Sequence, residues 1–555
     1  MAAMLPVALW GQSPVDAYNL SQTELRGTAR FMSMGGAFTA LGGDLSTLNQ
    51  NPAGIGVYRG SDVGLTLDLN MMSSKSSDIP AGSSWNRTHF DVNNFGYVGT
   101  FNLNDNVMQT FSWGISYGRQ KSFERQFRGG GVALQSSLSN YIALMTDGIS
   151  PYDMNFDKDK NYNPYFNSDI SWLSILAYSG GLVNPIPGET QLPDGTYEPV
   201  LTDTYNGLFQ QPVYDDNGNL VIAPTSGTAD FMVRERGYVD EYSINFGGNL
   251  ANTVYWGLGI GITDMNFEQQ ASYIETLKGA NVPASSNPMD GIVEGDCDYE
   301  LANWKKVSGT GVNLKFGLIF KPINEFRLGI AVHTPTWYSL NTQSNASVDF
   351  GADNGFVASD YTETADYSWN LRSPWRLMVG AAGVIGGRGI ISVDYEYQAY
   401  NAMKTSDSYG DFTDFNEYIK SDYRASNTIR VGGEFRVTPQ FSLRAGYAFT
   451  STNVNDDIKN NLIEVAAIGR APGDYIQGAC NPAYSLNNNT SYITAGLGYR
   501  TGGFYADLAY VHRHLESTYH CFTPFEDYDG YWTQAPQATI TDNSSQLVLT
   551  LGYKF

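Results

Sequence analysis

Few residues in this chain of 555 are placed to do covalent or metal chemistry. The five histidines are His89, His333, His512, His514 and His520. His512 and His514 stand two apart, which puts both imidazoles on one face of a strand, where a pair can ligate a metal or haem iron. That face continues Phe504, Ala506, Leu508 and Tyr510, so it reads as an outer interface or rim, and neither a metal nor another cofactor is expected. Cys297, Cys480 and Cys521 are odd in number and allow at most one internal disulfide. Cys480 with Cys521, in consecutive long loops on one side, is the expected pair; the alternative leaves all three reduced or paired with other chains. Gly257-x-Gly259-x-Gly261 lies inside a strand with no helix after it, and Gly35 to Gly43 lacks the Lys-Ser/Thr ending of a phosphate loop. Both read as small residues where another backbone approaches closely. No Ser/His/Asp set, zinc spacing or close carboxylate pair stands out, so the chain does not read as an enzyme.

Charged residues recur instead on one face of successive strands: Asp68, Arg327, His333, Arg372, Arg376, Asp394, Glu396, Arg430, Glu434, Arg436, Arg444, Asp507 and Arg513. Both signs occur on neighbouring strands, and unpaired buried charge is costly. The expectation is a ladder of ion pairs that fills an interior and anchors whatever lies inside it.

The elements that position these charges are strands. From Ser61 onward apolar residues alternate with small or polar ones, as in Leu547, Leu549, Leu551, Tyr553 and Phe555. No run of about 18 apolar residues occurs, which excludes a helical span, and a mean hydropathy of −0.29 is no obstacle to a barrel whose strands alternate. Fourteen candidate strands follow one another, joined alternately by tight turns such as Gly386-Gly387 and by long loops. That is the layout of an all-β, antiparallel transmembrane barrel with periplasmic turns and extracellular loops. The net charge of −23 argues against a nucleic-acid partner. Residues 61–555 are assigned to the barrel, with an insertion at 121–230 long enough to need structure of its own, including a short helix within Leu134 to Thr146 and a turn at Asp215-Asp216-Asn217-Gly218. Met1 to Gln12 reads as the remnant of a secretory signal.

One stretch does not alternate. Between Arg26 and Arg59 short apolar clusters are broken by Gly35-Gly36, by Gly42-Gly43 and by Asn51-Pro52, so only one- or two-turn helices fit. Such a segment needs a container, and residues 13–60 are expected to form a hatch inside the barrel.

The order Gly27-Thr28-Ala29-Arg30, Met34-Gly35-Gly36-Ala37-Phe38, Gly42-Gly43-Asp44 and Asn51-Pro52-Ala53-Gly54 resembles the N-terminal pattern of the FadL-type outer-membrane transporters of hydrophobic compounds. Arg327-Leu328-Gly329-Ile330, Asp394-Tyr395-Glu396-Tyr397, Leu443-Arg444-Ala445-Gly446-Tyr447 and Tyr553-Lys554-Phe555 support the resemblance. It implies a monomeric channel of a Gram-negative outer membrane, in contact with lipid and lipopolysaccharide, that takes up hydrophobic small molecules, long-chain fatty acids first among them. Ligand would enter by an extracellular apolar groove, reach a pocket against the hatch and leave sideways through a gap in the wall. Phe31, Met32, Met34, Phe38 and Leu41 are the expected pocket contacts, with Gly35, Gly36, Gly42, Gly43, Asn51 and Pro52 shaping the hatch. In the family the gap comes from a kink in the third strand, where this chain has Gly114 and Gly118. The terminal Phe555 resembles the signal read by the barrel-assembly machinery. The same barrel type also serves as a secretion shuttle component and as a haemin receptor, and these remain the alternatives.

Overall fold

The computed structural model describes residues 13–555 apart from 104, 158, 216, 218, 219, 409, 461, 466, 469–475, 477, 527–529 and 531. The signal-like residues 1–12 lie outside the described residues, as do Asp216 and Gly218 of the expected turn.

Strand segments join into one antiparallel sheet that closes into a barrel of fourteen staves. They are β1 Asp62–Ser77, β2 Ser84–Asn102, β3 Met108–Ser122 (prolonged by Arg125–Ala133), β4 Ser226–Leu250, β5 Val254–Pro283, β6 Ile292–Ile323, and β7, made of Phe326–His333 and Trp337–Ala352. Then come β8, made of Ala365–Arg372 and Arg376–Ile385, β9 Gly389–Ala399, β10 Ala425–Arg436, β11 Phe441–Thr450, β12 Tyr484–Thr501, β13 Phe504–His520 and β14 Gln537–Lys554. Closure is between β1 and β14, with Asp62 opposite Lys554 and Ser77 opposite Thr539. The strand count and the alternation of short and long connections agree with the sequence reading.

Each stave turns apolar residues outward, among them Leu65, Phe95, Ile115, Ile260, Phe316, Leu443 and Leu549, all more than a third exposed. An outward apolar band with a polar interior is what lipid demands of a barrel wall. β5 runs 30 residues and β6 runs 32, far beyond the roughly 9–11 needed to cross, so the wall rises into a collar above the membrane. β7 and β8 are each split by a proline, Pro335 and Pro374. The two breaks face one another, with the Thr336 amide donating to Ser373 Oγ at 2.9 Å and the Ser373 amide to Thr336 O at 3.1 Å. A proline supplies no ladder donor, so neighbouring strands place their prolines together.

The interior is filled twice. Low in the barrel sit α2 Ala29–Ser33, α3 Thr47–Gln50 and a 3₁₀ turn Pro52–Val57, while α1 Pro14–Leu20 lies higher, against the collar. Above them, the 121–230 insertion contributes α4 Leu138–Thr146, inside the stretch expected to be helical, and α5 Trp172–Ser179. Leu138, Ile142, Trp172, Leu173 and Leu176 join Val15, Tyr18 and Leu20 of α1 in one continuous buried core with the collar strands.

Candidate functional site

The glycine pairs set the course of the hatch. Gly35, Gly36, Gly42 and Gly43 all have φ between 62° and 76°, the left-handed region in which a side chain is strained. Thr28 caps α2 by accepting from the Phe31 amide at 3.2 Å, and its hydroxyl donates to Asp44 Oδ1 at 2.7 Å, tying the start of α2 to the bend after Gly43. Asn51 accepts from the Ala53 amide at 3.1 Å and donates to Thr39 O at 2.6 Å, so Asn51 and Pro52 start the 3₁₀ turn and pin it to the preceding loop. Wall glycines sit where the hatch backbone touches them: a Cβ at Gly257 would strike Pro52, and one at Gly446 would strike Met34 and Gly35. Gly259 and Gly261, by contrast, are crowded by the wall's own Asn245, Asn313 and Glu241 rather than by the hatch.

Met32, Met34 and Phe38 are wholly buried, and Phe31 and Leu41 nearly so, packed with Ala382, Ala448, Ala509, Val511 and Val548 of the wall. Burial of each such side chain contributes about 1.5–3 kcal/mol. Phe31 borders a space of about 50 Å³ and Leu41 one of about 360 Å³, while Met32, Met34 and Phe38 lie in the packed contact between hatch and wall.

The charged ladder anchors the hatch, as its distribution along the strands suggests. Arg30 reaches Glu434 on β10, Arg26 reaches Asp68 on β1 at 3.0 Å, and Glu24 pairs with Arg513 on β13. Arg376 and Arg430 flank Glu396 at 2.8 and 2.7 Å, and Lys315 pairs with Glu241. Backbone groups are caught too: the Thr39 amide by Asp394 at 2.8 Å, the Ala29 amide by Thr550 Oγ1 at 2.7 Å, and Gln50 O by His333 Nε2 at 2.7 Å. Burial pushes the Glu24 carboxyl up, but the charges of Arg513, Arg26 and Lys121 outweigh it and bring it down to about 2.

The wall is incomplete at one place. β2 pairs with β1 from Val98 up to Ser84, but with β3 only between Asn102 opposite Thr110 and Asn94 opposite Gly118. Above that point β3 stays with β4, through a register shift between Arg119 and Lys121, and its prolongation crosses to the β1–β2 hairpin, where Arg128 O accepts from Ser83 Oγ at 2.8 Å. β2 residues 84–93 are left without a partner on that side. A bulge marks the spot: Thr66 faces Asn94 and Leu67 faces Val92, so Asn93 is the extra residue. Its amide group donates to Gly27 O at 2.8 Å and to Met32 Sδ at 3.1 Å. Gly118 lies at the end of the ladder, where a Cβ would come within 2.5 Å of Asn49 Nδ2; at Gly114 it would meet Ile55 Cδ1 at 3.2 Å. Both glycines admit the hatch close to β3. Arg119 stands beside the opening between Asp91 (2.5 Å) and Asp240 (2.9 Å).

Directly above the hatch a space of about 100 Å³ is lined by charge, including Glu24, Lys121, Arg125, Glu235 and Arg513. The apolar groove that the resemblance implies at the extracellular end is occupied by the packed core of α1, α4 and α5.

Cys297, Cys480 and Cys521 are all buried free thiols, so the expected Cys480–Cys521 bridge is not formed. Each is enclosed in the apolar core of the cap, and burial pushes the Cys480 thiol up to about 12. His512 and His514 meet Ser545 Oγ (3.2 Å) and Asn543 Oδ1 (2.9 Å) of β14. Among the described residues no group of three or more His, Cys, Asp or Glu side chains could hold a metal ion. Asn93, Asn94, Arg119 and Glu24 were not singled out from the sequence. The bulge has a signature there, because Val92 and Phe95 both face outward yet stand three apart instead of two.

A closed barrel with an apolar outer band and a polar interior that holds a bonded hatch defines a transmembrane β-barrel with a filled lumen. Residues 225–465 match the family model described as outer membrane protein transport protein (OMPP1/FadL/TodX), which bears out the resemblance over β4 to β11. No curated protein matches the sequence. Among solved structures the chain is similar to a Pseudomonas aeruginosa FadL homologue (13% identity, 96% of this chain and 99% of that one, TM-score 0.47). It is also similar to the Pseudomonas putida toluene transporter TodX (13%, 96% and 99%, 0.45) and the Ralstonia pickettii toluene transporter TbuX (12%, 97% and 100%, 0.45).

Proposed function

We propose that this protein takes up hydrophobic small molecules, long-chain fatty acids first among them, and releases them sideways into the membrane at the opening between β2 and β3. The observation that carries this reading is the end of β2–β3 pairing at Asn94 and Gly118, directly beside the hatch. An acyl chain gains about 0.8 kcal/mol per CH₂ removed from water, so the membrane interior is a better destination than a watery lumen. In the arrangement described, cap and hatch fill the lumen, and passage requires the α4–α5 cap to move aside and the Asp91–Arg119 pair to separate. The chain acts as a monomer without cofactor or catalysis, and Phe555, 64% exposed at the end of β14, is offered to the assembly machinery.

The filled lumen also favours a second reading, a barrel that carries a partner protein and no small molecule. Uptake separates the two. Cells lacking the gene should take up labelled oleate several-fold more slowly, with restoration by the wild-type chain. Unchanged uptake together with a stably co-purifying protein would reject the first reading.

A further inference from the structure

Beneath the hatch lies a space of about 360 Å³, within the roughly 300–1,000 Å³ typical of small-molecule sites. It opens among the Gly42-Gly43 bend, residues 57–60, and the periplasmic ends of β7, β8, β9 and β14. Its lining divides by chemistry. Arg30, Arg59, Arg327 and Lys554 supply four cations, and no acidic side chain lines it. Leu41, Val57, Val384 and Ile390 supply an aliphatic wall.

The four cations are not equally neutralised. Arg30 is held by Glu434 at 2.9 Å. Lys554 is 3.5 Å from Asp62, with its ammonium 5.3 Å from the Tyr58 ring centre and 5.6 Å from that of Tyr505. Arg327 donates Nη1 to Leu41 O at 2.7 Å, its buried Nε meets no acceptor, and among the described residues it forms no ion pair. Arg59 is exposed and, among the same residues, also lacks a carboxylate partner. Five cations elsewhere in the lumen, Arg26, Arg119, Arg376, Arg444 and Lys315, each have an acidic partner, while Lys121 and Arg372 donate to backbone carbonyls. Two guanidiniums free of carboxylates, beside an aliphatic surface, can grip an anionic head in fork geometry while its hydrocarbon part stays dry.

We propose that this cavity binds an amphiphilic anion, its carboxylate or phosphate head against Arg327, Arg59 and Lys554 and its hydrocarbon chain along Leu41, Val57, Val384 and Ile390. The head chemistry is shared by a free fatty acid and by an inner-leaflet phospholipid. The proposal stands independently of any route through the β2–β3 opening, because the site lies on the periplasmic side of the hatch.

The test uses the full-length barrel and photo-cross-linking. One arm offers dodecanoate bearing a diazirine near its chain end, in zwitterionic detergent. A second offers phosphatidylglycerol with a diazirine in one acyl chain, in lipid nanodiscs. Labelled peptides are mapped by mass spectrometry. Label is expected within 41–60 or 382–390, at least about tenfold more from the acid than from the matching uncharged alcohol. The Arg59→Gln/Arg327→Gln variant should lose it by a similar factor, with folding checked by the heat-dependent gel shift. Arg59→Gln alone, at an exposed side chain, should lose part of it. Capture of the free acid alone identifies the carboxylate source, capture of phosphatidylglycerol alone the phosphate source, and either supports the site. Equal labelling by the alcohol, unchanged labelling in the double variant, or label confined to the lipid-facing band in both arms would overturn it.

Discussion

Arg30 of the hatch and Glu434 of the wall lie 2.9 Å apart, and Glu434 is shared with Arg444, whose other nitrogen reaches Asp507 at 2.6 Å. The hatch is thereby spliced into a four-member charged chain whose other members stand on β10, β11 and β13. Replacing Arg30 by Ala leaves Glu434 with one cation fewer in a mostly buried site, a change that costs about 3–5 kcal/mol when a buried pair loses one member. The melting temperature in detergent should fall, while Arg30→Ala/Glu434→Gln should fall by less than the two single changes added. Unaltered melting in both single variants would show that the chain of charges contributes nothing.

Glu24 gives the hatch a pH dependence of definite sign. Its folded pKa, about 2, lies below the ordinary 4.5, so its ionised form contributes stability that is complete above the ordinary value and lost as pH falls towards 2. Wild type should melt higher than Glu24→Gln at pH 6 and 7, and the gap should narrow between pH 4.5 and 2. A gap that stays constant through that interval would remove Glu24 as its cause.

An extra residue, Asn93, stands at the level where β2–β3 pairing ends. Deleting Asn93 removes the bulge and restores regular alternation to β2, and the β2–β3 ladder should then extend upward. Oleate uptake by cells displaying this variant at wild-type level should drop at least about tenfold if release is sideways at this point. Normal uptake would locate the exit elsewhere.

The three thiols should be silent in the native barrel. Buried and unpaired, Cys297, Cys480 and Cys521 should resist a maleimide reagent until the protein is denatured, when all three should react. A denatured, unreduced sample with only one reactive thiol would restore the Cys480–Cys521 bridge.

Much of the wall is legible in the sequence because period-two alternation is a local signal, repeated in fourteen staves and punctuated by the turn residues between them. The hatch is legible for the opposite reason, since paired glycines forbid long elements. Partnership is harder to read. Glu24, Asn93 and Arg119 are ordinary loop or strand residues until the barrel closes and brings Arg513, Gly27 and Asp240 to them. The apolar clusters at Met32, Met34 and Phe38 fit a ligand pocket or a packed interface equally well by composition, and only geometry separates a side chain beside a cavity from one beside another side chain. Cys480 and Cys521 show the same limit: loop order puts them on one side of the membrane without setting the direction of either Cβ.

The seam between β1 and β14, where the Ser61 amide donates to Phe555 O at 2.9 Å, sets an order of events. Ala29 finds Thr550 521 residues later in the chain. The hatch is therefore among the last segments to be sealed, and it has to be gathered inward before β14 docks. Contacts of such separation are slow to form and leave half-made barrels exposed to proteolysis. Substitutions in the hatch should accordingly lower the yield of finished barrels at the cell surface before they alter what any finished barrel does.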